Sequence, residues 1–402
     1  MFRDCSERGK HLPSDLGYNR GIQYTDGVRG MAGTIDRRGF LRGSAVFAAG
    51  AAAGFSCIEI ANAAPIAVPT VDRLSLRVLI DSAHDQFLKP ATVQGVLHQP
   101  PGNGRGSDYR KVLHNQWGLS LFAESWRAEE ARTILLDFGY SPEALLNNIE
   151  ILKVDPTKID ALIVSHGHHD HYGGLTGFLD KYRSALAPDL KLYAGGEDNF
   201  CHRHSPSGVP GQFTDFGQLD RRELTAQKIS TVLCETPTVV AGHAFTTGQI
   251  KRASIERILP NTFVERGITD GLGCDASHYS PAELQGKIIP DEHVHEHATC
   301  FNVRGKGLVV ISSCGHVGIV NSVRQAQEVS GIERVHAIVG GFHLGPAPKD
   351  YLTQVVAEIK KLQPDVVVPM HCSGLNFALE AQAQMPENVI VPTTGSRLVF
   401  SA

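Results

Sequence analysis

A short motif at residues 165–171 reads Ser-His-Gly-His-His-Asp-His and directly follows a run of apolar residues. In an extended loop, alternate side chains point to the same side, so His166 and His168 can bind one ion together. As the chain turns into a helix, Asp170 and His171 can reach a second ion. Neutral imidazole is the commonest metal ligand near neutral pH, and carboxylates complement it. The motif therefore predicts a centre for two metal ions.

The first ion of this predicted centre needs a further ligand. His169 falls on the opposite side of the loop, so we do not predict it as one. A catalytic zinc ion usually takes three protein ligands and keeps one position for water, so His166 and His168 require a third partner. His316 and His371 each follow an apolar run that predicts a buried strand. Because sites gather from loops at the ends of separate strands, both histidines are candidates.

The motif must lie at the end of a strand, and the chain contains a regular series of strands and helices. Short apolar runs predict strands at 74–80, 119–124, 133–137, 161–164, 308–312, 335–339, 366–368, 388–391 and 397–400. Helical patterns cover 142–152, 319–329, 349–362 and 374–384. Ser141 is the expected N-cap of the first helix, with Pro142 at its first position. Strands that end in histidine-bearing loops predict one sheet edge that gathers the ligands.

Residues 195–300 differ from the rest of the chain. They are rich in glycine, proline and polar residues, and their periodicity is weak. Long loops in compact domains are usually functional. We predict a long insertion that folds over the site, inside a single domain covering 64–402, rather than a second domain.

Composition narrows the class of protein. Hydrophobic residues make up 42% and charged residues 20%, which is typical of a soluble globular domain with a large core. The formal net charge of −4 gives no indication of a nucleic-acid partner, so we expect a small-molecule substrate. The eight cysteines form no Cys-x-x-Cys pair, which excludes a zinc ribbon or thioredoxin-type site and leaves room for one or two disulfides.

The N-terminal residues carry features of an export signal. Paired Arg37 and Arg38 precede Phe-Leu, an Ala- and Gly-rich run covers 43–57, and small residues lead to Ala63. This arrangement resembles a twin-arginine (Tat) signal peptide cleaved after Ala63. The apolar run is too short for a standard transmembrane helix, so no stable membrane anchor is expected. We expect a periplasmic or secreted protein that uses the Tat machinery.

The residues before this signal lack periodicity. Residues 1–30 carry many charges and glycines, and Met31 would be a natural start for the signal. We interpret residues 1–63 together as a disordered leader followed by the signal peptide.

Several stretches together resemble the metallo-β-lactamase superfamily. They are the His-Gly-His-His-Asp-His motif, the later His316 and His371, and Asp137 in Leu-Asp-Phe-Gly. Further stretches resemble one branch, described as similar to dihydropterin-ribofuranosyl-aminobenzene-phosphate synthases: W-G-L-S-L at 117–121, I-D-A-L-I-V-S-H-G-H-H-D-H-Y-G-G-L at 159–175, T-T-G-Q-I-K-R at 246–252, S-C-G-H-V-G-I at 313–319, G-G-F-H-L at 340–344 and P-M-H-C-S-G at 369–374. The resemblance implies an α/β protein of the αββα metallo-β-lactamase fold, with two packed mixed β-sheets flanked by helices.

The resemblance also implies a ligand assignment. The first metal site would contain His166, His168 and His316, and the second would contain Asp170, His171 and His371. Asp137 would support the histidine loop from beneath, because such groups orient metal ligands. Asp170 would also be the catalytic carboxylate. Two divalent ions are implied, with zinc expected and iron or manganese as alternatives.

One departure from the superfamily pattern concerns a bridging aspartate. Many members supply it between the last two histidines, but here Asp350 begins a helix and Asp365 begins a strand, so neither suits that role. The strand at 335–339 leads instead to His343 in a glycine-rich loop. His343 is a candidate ligand or substrate contact, with a structural role as the alternative.

Three further features have two interpretations each. Arg252 either belongs to a tight turn or contacts an anionic substrate group, which guanidinium recognises well. His293, His295 and His297 alternate along the chain, and we interpret them as a solvated strand face rather than a metal site. Cys314 and Cys372 flank predicted ligands and are interpreted as packing or supporting groups rather than nucleophiles.

The leading functional hypothesis is metal-assisted hydrolysis. In it, a metal-bound hydroxide attacks an ester, lactone or phosphoester, and the ions stabilise the developing oxyanion. One rival is an iron-dependent redox enzyme with the same ligands. The other is a non-catalytic periplasmic protein that binds a metal or ligand.

Overall fold

The computed structural model describes residues 65–402, except 103–107, 260–261, 270 and 286–287. The predicted leader and Tat signal peptide, residues 1–63, lie outside the described residues. Within the described ranges, all of which belong to the unit Ala63–Ala402, no helix has the length and apolarity needed to cross a membrane.

The secondary structure follows the alternation expected from the sequence. The strands of the described residues are β1 Thr70–Val71, β2 Arg73–Ile80, β3 Ala91–Val93, β4 Val96–Gln99, β5 Ser120–Arg127, β6 Glu130–Leu136, β7 Ala161–Val164, β8 Lys191–Ala194, β9 His202–Pro206, β10 Phe213–Gly217, β11 Ser230–Leu233, β12 Val239–Val240, β13 Ala244–Thr246, β14 Phe263–Glu265, β15 Ile268–Thr269, β16 Leu272–Gly273, β17 Ile289–Pro290, β18 Thr299–Val303, β19 Gly307–Ser312, β20 Val335–Gly340, β21 Val366–Pro369 and β22 Arg397–Ser401. The α-helices of the same residues are α1 Pro142–Ile151, α2 His169–Tyr172, α3 Leu175–Tyr182, α4 Arg221–Ala226, α5 Ile319–Ser330, α6 Lys349–Lys361 and α7 Gly374–Gln384.

One detail of the local predictions is wrong. The run at 388–391 forms no strand and contributes only an isolated bridge between Val389 and Val367. Ser141 is the N-cap of α1 by position, but its side chain makes no capping hydrogen bond. Pro142 still begins the helix as predicted, because its missing N–H is one that the first turn leaves unpaired anyway.

Two mixed sheets contain most of the strands. Among the described residues, a nine-stranded sheet has the order β11-β8-β7-β6-β5-β2-β22-β4-β3. A seven-stranded sheet has the order β12-β13-β18-β19-β20-β21, with β1 pairing beside β18. Strands β6, β7, β8 and β11 are mutually parallel in the first sheet, as are β19, β20 and β21 in the second. The remaining pairs are antiparallel, apart from β1 with β18.

The two sheets pack face to face with helices outside. In β7, Ile163 belongs to the apolar core between the sheets, whereas Leu162 belongs to the core shared with α1 and α3. Such alternation is what a strand buried on both faces requires. The second sheet alternates in the same way, with Val309 facing the first sheet and Val310 facing α5, α6 and α7. The predicted αββα arrangement is confirmed.

The parallel strands of both sheets end at one common edge. In the first sheet, β6 leads to Asp137 and β7 leads to the motif at 165–171. In the second sheet, β19 leads to His316 and β21 leads to His371. The carboxyl ends of parallel strands are the usual place for a site in such a fold. The edge therefore positions the predicted ligands from two sheets.

The predicted insertion folds over this edge, but part of its range belongs to the main sheets. Strands β11, β12 and β13 pair with the two large sheets. The rest includes a small sheet of order β10-β9-β14-β17, which we call the lid sheet. A disulfide between Cys201 and Cys274 joins the residue before β9 to the residue after β16. It therefore links the start of β9 to the end of the β15–β16 hairpin.

The core between the sheets generates a stability prediction. Phe301 on β18 is fully buried there, so Phe301→Ala should lower the free energy of unfolding by about 3–5 kcal/mol, through lost apolar contact and a residual cavity. Phe87 is 81% exposed, so Phe87→Ala should change the free energy of unfolding by less than about 0.5 kcal/mol. Chemical denaturation of both variants without metal measures the difference. Equal losses would contradict the assigned core.

Candidate metal centre

His166 and His168 lie in the loop after β7, with their ring centroids 4.6 Å apart. The Ser165 hydroxyl lies 2.9 Å from His166 Nδ1, and the Thr262 hydroxyl lies 2.9 Å from His168 Nε2. Each contact fixes a ring and leaves the opposite nitrogen available, and His166 Nε2 is buried with no hydrogen-bond partner. Burial lowers the pKa of both imidazoles, which keeps them neutral and able to bind a metal.

His316 comes to the same place from the second sheet. Its ring centroid lies 5.0 Å from that of His166 and 4.7 Å from that of His168, and both of its ring nitrogens are buried without a partner. The Glu296 carboxylate accepts the backbone N–H groups of His316 at 3.1 Å and Val317 at 2.8 Å. Burial raises the pKa of Glu296 to about 7, although these N–H groups favour its ionised form. Glu296 therefore positions the His316 loop.

Asp170, His171 and His371 form the neighbouring group. Asp170 Oδ2 lies 3.3 Å from His371 Nε2 and 3.6 Å from His171 Nε2. Burial alone would raise the pKa of Asp170, but the two imidazoles hold it well below its usual range. Burial alone would likewise lower the pKa of His371, but Cys372 and Asp170 raise it to about 10. Binding of a metal at His371 must therefore displace a proton.

Asp137 lies beneath both groups and is fully buried. Its Oδ1 accepts the backbone N–H of Ser165 at 2.8 Å, and its Oδ2 accepts the Ser165 hydroxyl at 2.8 Å. The same Oδ2 lies 2.8 Å from His171 Nδ1, so that imidazole directs its Nε2 toward the centre. One carboxylate thus orients the His171 ring directly and the His166 ring through Ser165.

Two residues that the sequence singled out, His169 and Arg252, lie outside the ligand groups. His169 packs edge-on against Tyr140 and Tyr172 at centroid distances of 4.8 and 5.2 Å, away from the centre as predicted. Arg252 is on the surface, where it donates to Glu292 at 2.6 Å. Its guanidinium side chain is 43% exposed.

The prediction of a solvated face for His293, His295 and His297 is wrong, because all three are buried. The ring of His293 stacks on His316 with centroids 4.1 Å apart, and neither of its nitrogens has a hydrogen-bond partner. His297 Nε2 lies 3.1 Å from the carbonyl oxygen of Val164. The alternation was visible in the sequence, but only the tertiary structure turns this segment inward.

Arg203 on β9 also lies near the centre, although the sequence did not indicate it. It is fully buried, donates to Asp291 at 2.9 Å, and donates to the carbonyl oxygens of Cys201 and Asp198. A Cβ at Gly167 would lie 2.5 Å from Arg203 Nη1, so glycine is required inside the histidine motif. The Arg203–Asp291 pair therefore packs directly against the ligand loop.

Two thiols occupy the region where a bridging carboxylate was sought. Cys314 Sγ lies 3.4 Å from His171 Nε2 and 3.2 Å from Cys372 Sγ. A Cβ at Gly341 would lie 2.8 Å from Cys372 Sγ and 2.3 Å from the carbonyl oxygen of Ser313. No aspartate fits at this position, because the thiol and the backbone fill the space.

The donor set fits metal ions. At the shared edge of the two sheets, three groups place one donor atom from each member within 4.8 Å of the others: His168 with His293 and His316, His166 with Cys314 and His316, and His171 with Cys314 and His371. A fourth group joins Cys314, His343 and Cys372, and the ring of His343 lies 4.2 Å from that of His316. Buried nitrogens that face one another without hydrogen bonds are otherwise unfavourable, and cations would satisfy them.

Comparisons with known proteins agree with this architecture. A sequence model of the Metallo-beta-lactamase superfamily matches residues 124–248. The solved structure of Tm1679, described as a metal-dependent hydrolase of the beta-lactamase superfamily, superposes with a TM-score of 0.58 at 20% identity, covering 82% of this chain and 100% of that one. The predicted metallo-β-lactamase fold is confirmed.

Two curated proteins of Methanocaldococcus jannaschii are similar in sequence. One is named 7,8-dihydropterin-6-methyl-4-(beta-D-ribofuranosyl)-aminobenzene-5'-phosphate synthase and is 28% identical over 271 residues, which is 66% of this chain and 84% of that protein. The other, named Uncharacterized protein MJ0448, is 26% identical over 271 residues, which is 66% of this chain and 86% of that protein. The first of these relatives carries the name of an enzyme. The prediction that this chain is an enzyme with this fold is confirmed.

The buried Arg203–Asp291 pair generates a prediction about stability. Arg203→Met should lower the free energy of unfolding by about 3–5 kcal/mol, because it leaves the Asp291 carboxylate buried without its cation. Adding Asp291→Asn should recover part of this loss. Arg110→Met, at an exposed ion pair, should have little effect. Denaturation in the presence of a chelator measures all three, and a double variant no more stable than the single one would count against this pairing.

Proposed function

We propose that this enzyme is a metal-dependent hydrolase that cleaves an ester, lactone or phosphoester. The observation that carries the proposal is the convergence of unpaired imidazole nitrogens at the shared edge of the two sheets, with the Asp170 carboxylate 3.3 Å from His371. The similar Tm1679 protein, which is described as a metal-dependent hydrolase, supports the reaction class.

We assign the first metal site to His166, His168 and His316, and the second to Asp170, His171 and His371. Within the first set the ring centroids lie 4.6 to 5.0 Å apart, and in the second set Asp170 lies 3.3 Å from His371. The rings of His166 and His171 lie 4.2 Å apart, so the two sets are adjacent. Two divalent ions, with zinc expected, would supply Lewis-acid activation of water and stabilisation of developing negative charge when bound. Imidazole and carboxylate donors suit zinc, manganese and iron alike.

The chain's own residues have separable tasks in this proposal. Asp170 stays ionised and supplies negative charge beside His171 and His371. Asp137 and Glu296 hold the two histidine loops in register, one from each sheet. Trp117 is 56% exposed and packs against His371 with centroids 4.7 Å apart, so it offers a substrate an apolar surface at the mouth of the site.

A second candidate function is an iron-dependent redox reaction on the same scaffold. The observation that favours it is the buried Cys314–Cys372 pair beside the imidazoles, because thiol donors suit iron and can change redox state. The two candidates differ in the metal that activity requires.

The test is a substrate screen with metal analysis. Protein purified without added metal is analysed for metal content and absorption spectrum, then assayed with lactones, phosphodiesters, phosphomonoesters and sulfate esters. Because the similar M. jannaschii protein is named a synthase, the panel includes a dihydropterin joined to a ribofuranosyl-aminobenzene phosphate. Hydrolysis that depends on the metal is the expected result, whereas redox-active iron with no hydrolysis would reject the hydrolase proposal.

Variants of neighbouring histidines make the test specific. His168→Ala should lower both bound metal and activity by at least about 10-fold, because removing a ligand weakens binding and misplaces the ion. His169→Ala, one residue along and outside the ligand groups, should retain metal and activity. If His168→Ala loses metal but keeps full activity, the protein is a metal-binding protein and its metals are not catalytic.

We also propose that the chain is exported to the periplasm or secreted through the Tat machinery. The disulfide between Cys201 and Cys274 supports an oxidising compartment, because disulfides are uncommon in the reducing cytosol. Replacing Arg37 and Arg38 by lysine should retain the protein in the cytoplasm, whereas Arg42→Lys should not. Cell fractionation measures the distribution, and unchanged export of the double variant would reject this route.

A further inference from the structure

A second group of metal-binding side chains lies on the lid sheet. His202 and His204 are two residues apart on β9, so their side chains lie on the same face of the sheet. Glu265 on β14 is directly paired with His202, and Asp215 on β10 is directly paired with His204. Three adjacent strands thus place two imidazoles and two carboxylates together, and we call these four residues the outer cluster.

The distances within the outer cluster are short. The rings of His202 and His204 have centroids 4.3 Å apart. His204 Nε2 lies 3.2 Å from a Glu265 oxygen, and His202 Nε2 lies 2.8 Å from an Asp215 oxygen. One donor atom each from His202, His204 and Glu265 lie within 4.8 Å of one another. Small side-chain rotations bring such donors around a single ion.

The surroundings of the outer cluster differ from those of the central site. The side chains of His202, His204 and Glu265 are 27%, 12% and 32% exposed, so an ion can enter from solvent. Phe213 packs beside the ring of His204 and shields one side. Two imidazoles this close repel each other when both are protonated, and a shared cation removes that repulsion because it binds their neutral forms.

We propose that the outer cluster binds a divalent transition-metal ion, with zinc as the best fit to two imidazoles and carboxylate oxygens. Zinc accepts four such ligands in tetrahedral sites. The outer cluster shares no residue with the central groups, so its occupancy is independent of the hydrolase proposal.

The position of the outer cluster indicates what the ion would do. Between His202 and His204, the side chain of Arg203 points to the opposite face and binds Asp291 beside the ligand loop. On β14, Glu265 belongs to the cluster while Val264 is buried in the core. An ion on the outer face would therefore cross-link the strands whose inner face supports the central site, and would stabilise the lid against local opening.

The test counts zinc ions per chain. The full-length protein and His202→Ala/His204→Ala are loaded with zinc, freed of weakly bound metal by gel filtration and analysed for zinc content. We expect the double variant to retain one ion fewer per chain. His278→Ala, an exposed histidine outside every candidate metal group of the described residues, should match the unaltered protein.

Two further measurements keep the test decisive. Glu265→Gln preserves the shape of the side chain and should weaken zinc binding to the outer cluster by at least about 10-fold in a calorimetric titration, since it removes one anionic ligand. Hydrogen exchange at β9 should slow when zinc is added to the unaltered protein and change less in the double variant. Equal zinc content and equal exchange in all variants would overturn the proposal.

Discussion

The centre depends on the buried carboxylate of Asp137. Asp137 directly follows β6, and its backbone φ of 58° turns its side chain beneath the loop that follows β7. Aspartate tolerates this left-handed backbone region better than most residues. From there it accepts hydrogen bonds from Ser165 and lies within hydrogen-bond distance of His171, so one anion sets the direction of two imidazoles. Without this carboxylate, the Ser165 hydroxyl and the His171 ring would lose the hydrogen-bond partner that fixes their direction.

Residues of the lid sheet and beside it support the same loop from the other side. Arg203, held in a fully buried position by Asp291 and two carbonyl oxygens, presses against Gly167, while Thr262 contacts His168. The ligand loop is thus supported from below by a carboxylate and from above by lid residues. This explains why a segment with so little periodicity contains buried, paired charges: its order comes from contacts with the centre, and the disulfide between Cys201 and Cys274 adds a covalent link within it.

The centre has two cysteine thiols in the region where an additional aspartate would otherwise place a carboxylate. The close approach of Gly341 to Cys372 and to the Ser313 carbonyl leaves no space for a carboxylate after β20. Cys314 instead faces His171, and His343 lies beside His316. Sulfur donors are softer and more readily oxidised than carboxylates, which is why the identity of the metal separates the two candidate reactions.

The sequence by itself determined most strands and helices outside residues 195–300 and the group of histidines and aspartate at 165–171, because local periodicity and short spacing encode these features. The αββα fold was implied by the resemblance of its motifs to the metallo-β-lactamase superfamily. His169 was correctly placed outside the ligand groups by alternation alone. The burial of His293, the Arg203–Asp291 pair and the thiols beside His171 were decided only by the tertiary structure. They depend on contacts between segments far apart in the chain, and a residue's polarity does not reveal which face of an irregular insertion packs inward. The outer cluster has the same origin, since strand register, which the sequence did not specify, brings its four donors together.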